Sequence, residues 1–250
     1  MEIHSGNRLN TTTMVSVDYG SDTVRYLFDG NSELKWRSTG FTMTGSAAVI
    51  NVSFTASTIL SHIFIRGHNI DELYVYYDNT TTNCLYFTCD NRDPDLYIGF
   101  NSVTVGSIQV VMGRTFPMGQ TRRIGDLALV ERLFTTDKDP SIRDFAYMLD
   151  REQAVHEMPD GGISAYNLRD NFKAKIRWRF ITSALHTQFL DVFQDSIPFH
   201  VVLKPTDTAW DGMGFEVDWI GKFDFKPAMN NTSQGYTGTM DLRQTSRARS

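Results

Sequence analysis

The chain has 250 residues, of which 41% are hydrophobic, and its formal net charge is −5. This length predicts one or two domains with ordinary apolar cores, and the acidic balance gives no electrostatic footprint for nucleic-acid binding, which requires a clustered basic face. Aromatic residues are abundant, with 17 Phe, 10 Tyr and 4 Trp. Because aromatic side chains suit the half-buried surface of a sheet, the composition favours a mainly β protein.

The beginning of the chain is polar, and residues 1–14 are predicted to form an N-terminal arm. It lacks the apolar segment of a signal peptide, and no later run approaches the length of a membrane span. We therefore expect synthesis in a cytoplasm and no membrane insertion. Cys84 and Cys89, the two cysteines of the chain, make no disulfide framework and are interpreted as reduced and structural.

The first half alternates short β-rich runs with polar turns. A run from Leu73 to Tyr77 and another from Leu85 to Phe87 flank the polar cluster Asp78–Asn83, which predicts a hairpin. Turn signals recur about every 8 to 12 residues, a spacing typical of a sandwich or barrel. The other predicted strands are 50–54, 59–65, 96–100, 103–105 and 108–112.

A domain boundary is predicted near Leu133–Pro140, where the sequence becomes polar and ends in a proline. Asp139 could cap a short helix with Pro140 at its first position. The spacing of the apolar residues from Ile142 to Leu149 then favours a helix there.

The clearest strand of the chain lies in the second half. From Phe172 to Phe180 apolar and basic residues alternate strictly, so Phe172, Trp178 and Phe180 should share one face. The basic face is interpreted as solvated or subunit-facing rather than as a nucleic-acid stripe. Ser183 then resembles a helix N-cap, and a helix is predicted over 183–195. Further strands are predicted at 198–203, 215–220, 223–225 and 235–242.

Few residues suggest chemistry. The six histidines are scattered, and the chain has no phosphate loop, nucleophile elbow or His-Glu-x-x-His motif. Glu216 and Asp218 share a strand face and could be a glycosidase pair, although solvated carboxylates are the simpler interpretation. Trp210 lies in a predicted loop and is the best candidate for contact with a partner or a glycan. We therefore expect no enzymatic activity.

The segment from Tyr26 to Ser38, with its Phe-Asp-Gly-Asn turn followed by Trp36, resembles the discoidin or galactose-binding-like family. The run Ile50–Phe54, the run Ile59–Asn69 and the closing Ile124–Val130 are similar to later parts of the family pattern. The resemblance covers about Val15 to Arg132. It implies a jelly-roll-like β-sandwich over 15–132, with Trp36 in its core.

In many members of that family the Asp-Gly-Asn turn binds a structural calcium, and hard oxygen ligands on a turn suit this ion. The matching positions here are Asp29, Asn31 and Asp126. Asp126 stands where the family has Glu, which shortens one ligand arm. The alternative is an Asx-type turn at Asp29 without a metal.

From Arg151 onward the chain resembles bacteriophage tail proteins of the distal tail or baseplate. The similarity lies in the order of a His-x-Met-x-Asp-Gly-Gly turn, a Trp-containing strand, a helix and late aromatic strands, beginning at His156. It implies a C-terminal β-barrel or sandwich with one helix over 133–250.

Together these patterns predict a mainly β virion protein of a phage tail, which assembles as a homo-oligomeric ring with other tail proteins. Contact with host-surface glycans would be a further role. The alternative is a stand-alone, lectin-like carbohydrate-binding protein.

Overall fold

The fold is known from a computed structural model. It describes residues 1–9, 15–29, 34–38, 47–77, 84–88, 95–115, 120–136, 145–157, 163–195, 197–202, 214–228 and 235–244. The chain divides into two compact units, an N-terminal unit of His4–Leu133 and a C-terminal unit of Met1–Ile3 with Phe134–Thr245. The division falls at the start of the boundary that the sequence predicts. The predicted mainly β class is confirmed.

The N-terminal unit is a β-sandwich with strands in the order β2-β4-β7-β5-β6, in which β9 also pairs with β4, and with a separate pair β3-β8. A 3₁₀ helix spans Ser21–Leu27. The strands are β2 (Val15–Val17), β3 (Trp36–Arg37), β4 (Ala48–Arg66), β5 (Glu72–Tyr77), β6 (Cys84–Thr88), β7 (Asp95–Met112), β8 (Arg123–Ile124) and β9 (Asp126–Val130).

Two long strands organise this unit, and the sequence had predicted five short ones in their place. β4 has 19 residues and β7 has 18, and their pairing shifts register between Ser53 and Thr58 and again between Leu60 and His62. The segment between Ser53 and Thr58 contains no Gly, Pro, Asn or Asp that would favour a turn. Bulges therefore bend the strand, and the chain does not reverse.

Trp36 lies at the centre of the core of the N-terminal unit, with none of its surface exposed. The family resemblance implies a core position for Trp36, and the burial of its side chain confirms it. The predicted hairpin is confirmed as well, because β5 and β6 pair antiparallel from Glu72 to Thr88. Its turn, residues 78–83, lies outside the described residues.

Residues 1–9 differ from the predicted arm. β1 (Glu2–His4) lies between β10 (Arg132–Thr135) and β13 (Phe199–Val202) in a sheet, and both Met1 and Ile3 are buried. The next residues follow β9, where the Asn7 side chain donates to the Leu127 carbonyl and accepts from the Leu129 amide, both at 3.0 Å. Paired backbone and buried side chains together hold this segment in place.

The C-terminal unit is built on a sheet of order β10-β1-β13-β14-β16-β12-β11, with β15 on β16. The two edge strands of this sheet, β10 and β11, do not pair with each other among the described residues, so the predicted barrel is an open sheet. The remaining strands are β10 (Arg132–Thr135), β11 (Phe145–Glu157), β12 (Ile163–Ile181), β13 (Phe199–Val202), β14 (Gly214–Trp219), β15 (Asp224–Pro227) and β16 (Tyr236–Gln244).

The predicted helix is confirmed as α1, Ser183–Asp195. It buries Leu185, Phe189 and Val192 at helical spacing. Phe189 is fully buried among aromatic rings, with its ring centroid 5.2 Å from that of Trp178 and 5.6 Å from that of Phe225. One helix thus covers the aromatic core of the C-terminal unit.

The predicted helix over residues 142–149 is wrong. The described part of this region, Phe145–Glu157, is strand β11, paired with β12 from Phe145–Ile176 to Glu157–Ile163. The helical spacing of a few apolar residues carries little weight against pairing with β12 along the whole length of β11.

The alternation of β12 holds from Phe172 to Trp178 and then breaks. Phe180, predicted on the apolar face, is 53% exposed and has a φ of 56°. The pairing with β16 shifts register between Trp178 and Ile181, and Ile181 takes the buried position. This bulge turns the strand toward α1 and reverses the direction of one side chain.

Within this unit His186 of α1 stacks on Tyr236, with ring centroids 4.0 Å apart, and meets Phe223 edge-on at 5.3 Å. Burial among these rings lowers the pKa of His186 below its ordinary value of 6.5. The unfolded chain therefore binds a proton more readily than the folded one. The stability that comes from a neutral His186 should be fully present above a pH of about 6.5 and be lost as the pH falls below it.

We expect the thermal unfolding midpoint of the protein to decrease as the pH falls below about 6.5. The decrease should be smaller in His186→Gln, which keeps a polar side chain but does not titrate. Differential scanning calorimetry across this range measures both proteins, and equal slopes for the two would contradict the assignment to His186.

Candidate functional site

The predicted calcium ligands are only partly described. Asp29 is partly exposed just after the 3₁₀ helix. The pKa of Arg25 is raised mainly by the hydrogen bond of its side chain to Tyr26, and the charge of Asp29 raises it further. Asp126 is 5% exposed at the start of β9, opposite Arg66 of β4. Asn31 lies outside the described residues. In the described part of the chain, no cluster of three or more His, Cys, Asp or Glu ligand atoms includes Asp29 or Asp126, and calcium stays a prediction.

The tryptophans, like the predicted calcium ligands, are only partly within the described residues. Trp210 lies outside the described residues, so its predicted contact with a partner or glycan is untested. Trp178 is 4% exposed and Trp219 packs against the same core. Both therefore belong to the packing of the C-terminal unit.

The two carboxylates considered for glycosidase chemistry lie on β14. Glu216 is 4% exposed and stands opposite the buried His200 of β13, whereas Asp218 stands opposite Arg243 of β16. Glu216 is therefore not a solvated carboxylate, as the simpler interpretation had it.

A further candidate site is the outer face of strand β5 in the N-terminal unit. Leu73 and Val75 are fully buried in the core, so the alternating residues Glu72, Tyr74 and Tyr76 lie on the opposite, outer face of the sheet. All three are partly exposed. The rings of Tyr74 and Tyr76 are nearly parallel, at 13°, with centroids 6.5 Å apart.

The register of the sheet extends this surface across four strands. Tyr76 stands opposite Gln109 of β7, Gln109 opposite Asn51 of β4, and Asn51 opposite Ser16 of β2. Residues that face each other in antiparallel strands lie on the same side of the sheet. These four residues form a row that we call the polar row, and all of them are partly or fully exposed.

A second row lies beside the first, two residues away along each strand. Tyr74 stands opposite Val111 of β7, and Val111 stands opposite Val49 of β4. Both valines are partly exposed. We call these three residues the apolar row, and the two rows together the tyrosine face. An apolar strip thus lies directly alongside a strip of amides and hydroxyls.

The amides of the polar row retain hydrogen-bonding capacity. Gln109 Nε2 donates to Asn51 Oδ1 at 2.7 Å. A primary amide has two N–H donors and an oxygen acceptor, so this bond leaves the Asn51 amide nitrogen as a donor and the Gln109 oxygen as an acceptor. The pair therefore offers both functions to a ligand on the outer surface.

The tyrosine face ends in a fixed polar cluster. Tyr74 donates to Glu72 Oε1 at 3.3 Å, and Arg114 Nε lies 3.4 Å from Glu72 Oε2. The guanidinium of Arg122 donates to the Gly113 carbonyl, and burial lowers the pKa of this guanidinium without removing its charge. The bond to Glu72, itself paired with Arg114, holds the phenol of Tyr74 in one orientation.

The loop before β5 is fixed as well. Asn69 Nδ2 donates to the Thr121 carbonyl at 2.9 Å, and Asn69 Oδ1 accepts from the Arg123 amide at 2.8 Å. The Gly67-His68-Asn69 turn, which carried part of the family resemblance, therefore serves to join two loops. Gly67 has the positive φ of 58° that this turn requires.

Sequence reasoning missed this surface. The alternation of Leu73 to Tyr77 was available as a signal that Tyr74 and Tyr76 share a face. However, the residues opposite them are 33 or more positions away in the sequence, and only the strand register brings them together.

Comparisons with known proteins bear on the fold. No protein-family model matches the sequence, and no curated protein matches it. Among solved structures, the chain resembles the family 32 carbohydrate-binding module of C. perfringens NanJ in complex with galactose. The identity is 15%, the match covers 52% of this chain and all of the module, and the TM-score is 0.43.

A chitosan-binding module from Paenibacillus sp. IK-5 matches at 15% identity, over 51% of this chain and 99% of the module, with a TM-score of 0.40. A C. perfringens family 32 module in complex with GalNAc-β-1,3-galactose matches at 12%, over 46% of this chain and 92% of the module, with a TM-score of 0.39. At these values the likeness concerns the fold only, and the β-sandwich of this chain is assigned from its own strand pairing.

Among the described residues, no helix combines the length and hydropathy needed to cross a bilayer.

Proposed function

We propose that this protein is a non-catalytic glycan-binding protein, and that the tyrosine face of its N-terminal unit holds the sugar. The observation that carries the proposal is the register that aligns Tyr76 with Gln109, Asn51 and Ser16 beside the apolar row.

A sugar ring has an apolar face of C–H groups and a rim of hydroxyls that both donate and accept. Tyrosine offers a rigid apolar ring with a polar end. The Asn51–Gln109 pair offers one donor and one acceptor next to it. The tyrosine face therefore matches both halves of a sugar.

Binding without hydrolysis fits the electrostatics of this surface. Glycoside hydrolysis uses two carboxyl groups placed on either side of the bond that breaks. The Glu72 carboxylate is already engaged by Arg114 and the Tyr74 hydroxyl. Both oxygens of Glu72 therefore already have partners within the protein.

Replacement of Tyr76 by alanine should weaken glycan binding at least about tenfold, because it removes the aromatic member of the polar row. Isothermal titration calorimetry with a glycan selected on a glycan array measures this change. Tyr26→Ala is the matched control, since Tyr26 is a partly exposed tyrosine of the 3₁₀ helix in the same unit.

Circular dichroism and thermal unfolding establish that both variants remain folded. Equal losses of affinity in Tyr76→Ala and Tyr26→Ala would argue against the tyrosine face, and a wild-type protein that binds nothing on the array would refute the function itself.

The predicted role as a phage tail component is not part of the proposed function. The solved structures named above are carbohydrate-binding modules, and their likeness agrees with the lectin-like alternative. Ring assembly and tail partners stay predictions from the sequence.

A further inference from the structure

The polar row runs across the strands rather than along one of them. It starts at Tyr76 on β5, crosses β7 and β4, and ends at Ser16 on β2. Adjacent strands are about 4.8 Å apart, so the row extends over about 14 Å. A single sugar ring cannot contact both ends of a row of this length.

The row also has a uniform chemistry. Its members are a phenol, two amides and a hydroxyl, none of which is charged at neutral pH. The charges nearest to Tyr74, those of Glu72 and Arg114, neutralise each other at one end of the face. A charged sugar that lies along the polar row would lose water without an ion pair to any member of that row, which is costly.

The apolar row runs parallel to the polar row from Tyr74 through Val111 to Val49. A ligand that crosses the strands therefore meets apolar contacts along one edge and hydrogen-bonding groups along the other. An extended chain of sugar rings presents this combination repeatedly, once in every ring.

We infer that the ligand of the tyrosine face is a neutral, linear oligosaccharide that lies across strands β5, β7, β4 and β2, and not a single terminal sugar. This inference rests on the proposed function and adds to it the class and the direction of the ligand. Tyr76 and Tyr74 contact one end of the chain, the Asn51–Gln109 pair bonds its middle, and Ser16 bonds the other end.

The test uses the whole protein and five series of neutral β-linked oligosaccharides: gluco-, xylo-, manno-, galacto- and N-acetylchito-oligosaccharides, each from one to six rings. Calorimetry should show an affinity for at least one series that rises by more than about tenfold between the monosaccharide and the hexasaccharide. In that series Asn51→Ala should weaken hexasaccharide binding by about three- to tenfold, the size of one or two lost hydrogen bonds.

Ser53→Ala is the matched control, because Ser53 lies two residues further along β4, on the same face but outside both rows. It should leave hexasaccharide binding unchanged. A monosaccharide that binds as tightly as its hexasaccharide, or equal effects of Asn51→Ala and Ser53→Ala, would overturn the extended-chain inference while leaving glycan binding intact. A protein that binds glycans of other classes, but none of the five series, would also overturn it. Loss of the proposed function is a separate outcome, in which no glycan of any class binds.

Discussion

Replacement of Phe189 by alanine is expected to lower the free energy of unfolding of the C-terminal unit by about 3 to 5 kcal/mol. The side chain is fully buried on α1. Its ring centroid lies 5.7 Å from that of Phe134, 6.1 Å from that of Trp219 and 5.6 Å from that of Phe225. Alanine would leave a cavity between rigid rings that cannot close by rotating, so little of the lost contact energy would be recovered.

Urea denaturation followed by tryptophan fluorescence measures this loss, because Trp178 and Trp219 both contact the Phe189 ring. Gln188→Ala is the matched control, since Gln188 is the exposed preceding residue on the same helix. It should change the free energy by no more than about 0.5 kcal/mol. Equal denaturation midpoints for the two variants would mean that α1 does not cover the aromatic core.

Local sequence patterns predicted the strands and helices that bury only one face. The strict alternation from Phe172 to Trp178 and the spacing of Leu185, Phe189 and Val192 each identify a strand or helix directly, because each buries one face only. The core position of Trp36, in contrast, was implied by the family resemblance and not by a local pattern. Where the alternation fails, at Phe180, the cause is a bulge that depends on the partner strand β16.

The length of the strands was not predictable in this way. β4 passes through the exposed residues Thr55 to Ser57, which interrupt the apolar pattern between two of the predicted strands. Pairing with β7 on both sides of this segment keeps it extended. A polar stretch marks a turn only when no partner strand continues past it, and partner strands are a property of the whole fold.

The candidate site illustrates the same limit. Tyr74 and Tyr76 could be placed on one face from their own strand, whereas Asn51 and Gln109 are 58 residues apart. A shift of one residue in the register of β4 and β7 would turn Asn51 toward the core. The polar row is therefore encoded by the buried residues Ile50, Val52 and Val110, which fix that register.

Replacement of Gly235 by alanine is expected to destabilise the C-terminal unit by more than replacement of Gly221, although both glycines have nearly the same backbone conformation. Their φ angles are 87° and 89°, a region that costs a residue with a Cβ about 1 to 2 kcal/mol. At Gly221 nothing lies within 4 Å of the added atom, so Gly221→Ala should show this conformational cost alone.

At Gly235 the added Cβ would lie 2.5 Å from the Ile181 carbonyl oxygen. That oxygen belongs to the backbone at the end of β12, so no side chain can rotate away to make room. Relief requires separation of β16 from the Phe180 bulge, with strain on the pairing of Ile181 with Tyr236. We therefore expect Gly235→Ala to cost at least about 2 kcal/mol more than Gly221→Ala.

Thermal and urea unfolding of both variants measure the difference, and hydrogen exchange at Tyr236 and Ile181 locates it. Protection there should fall in Gly235→Ala and stay unchanged in Gly221→Ala, because only the first substitution separates the two strands. Equal costs for the two variants would show that the β12–β16 contact is loose enough to admit a methyl group, and that the exposed Phe180 is not held by it.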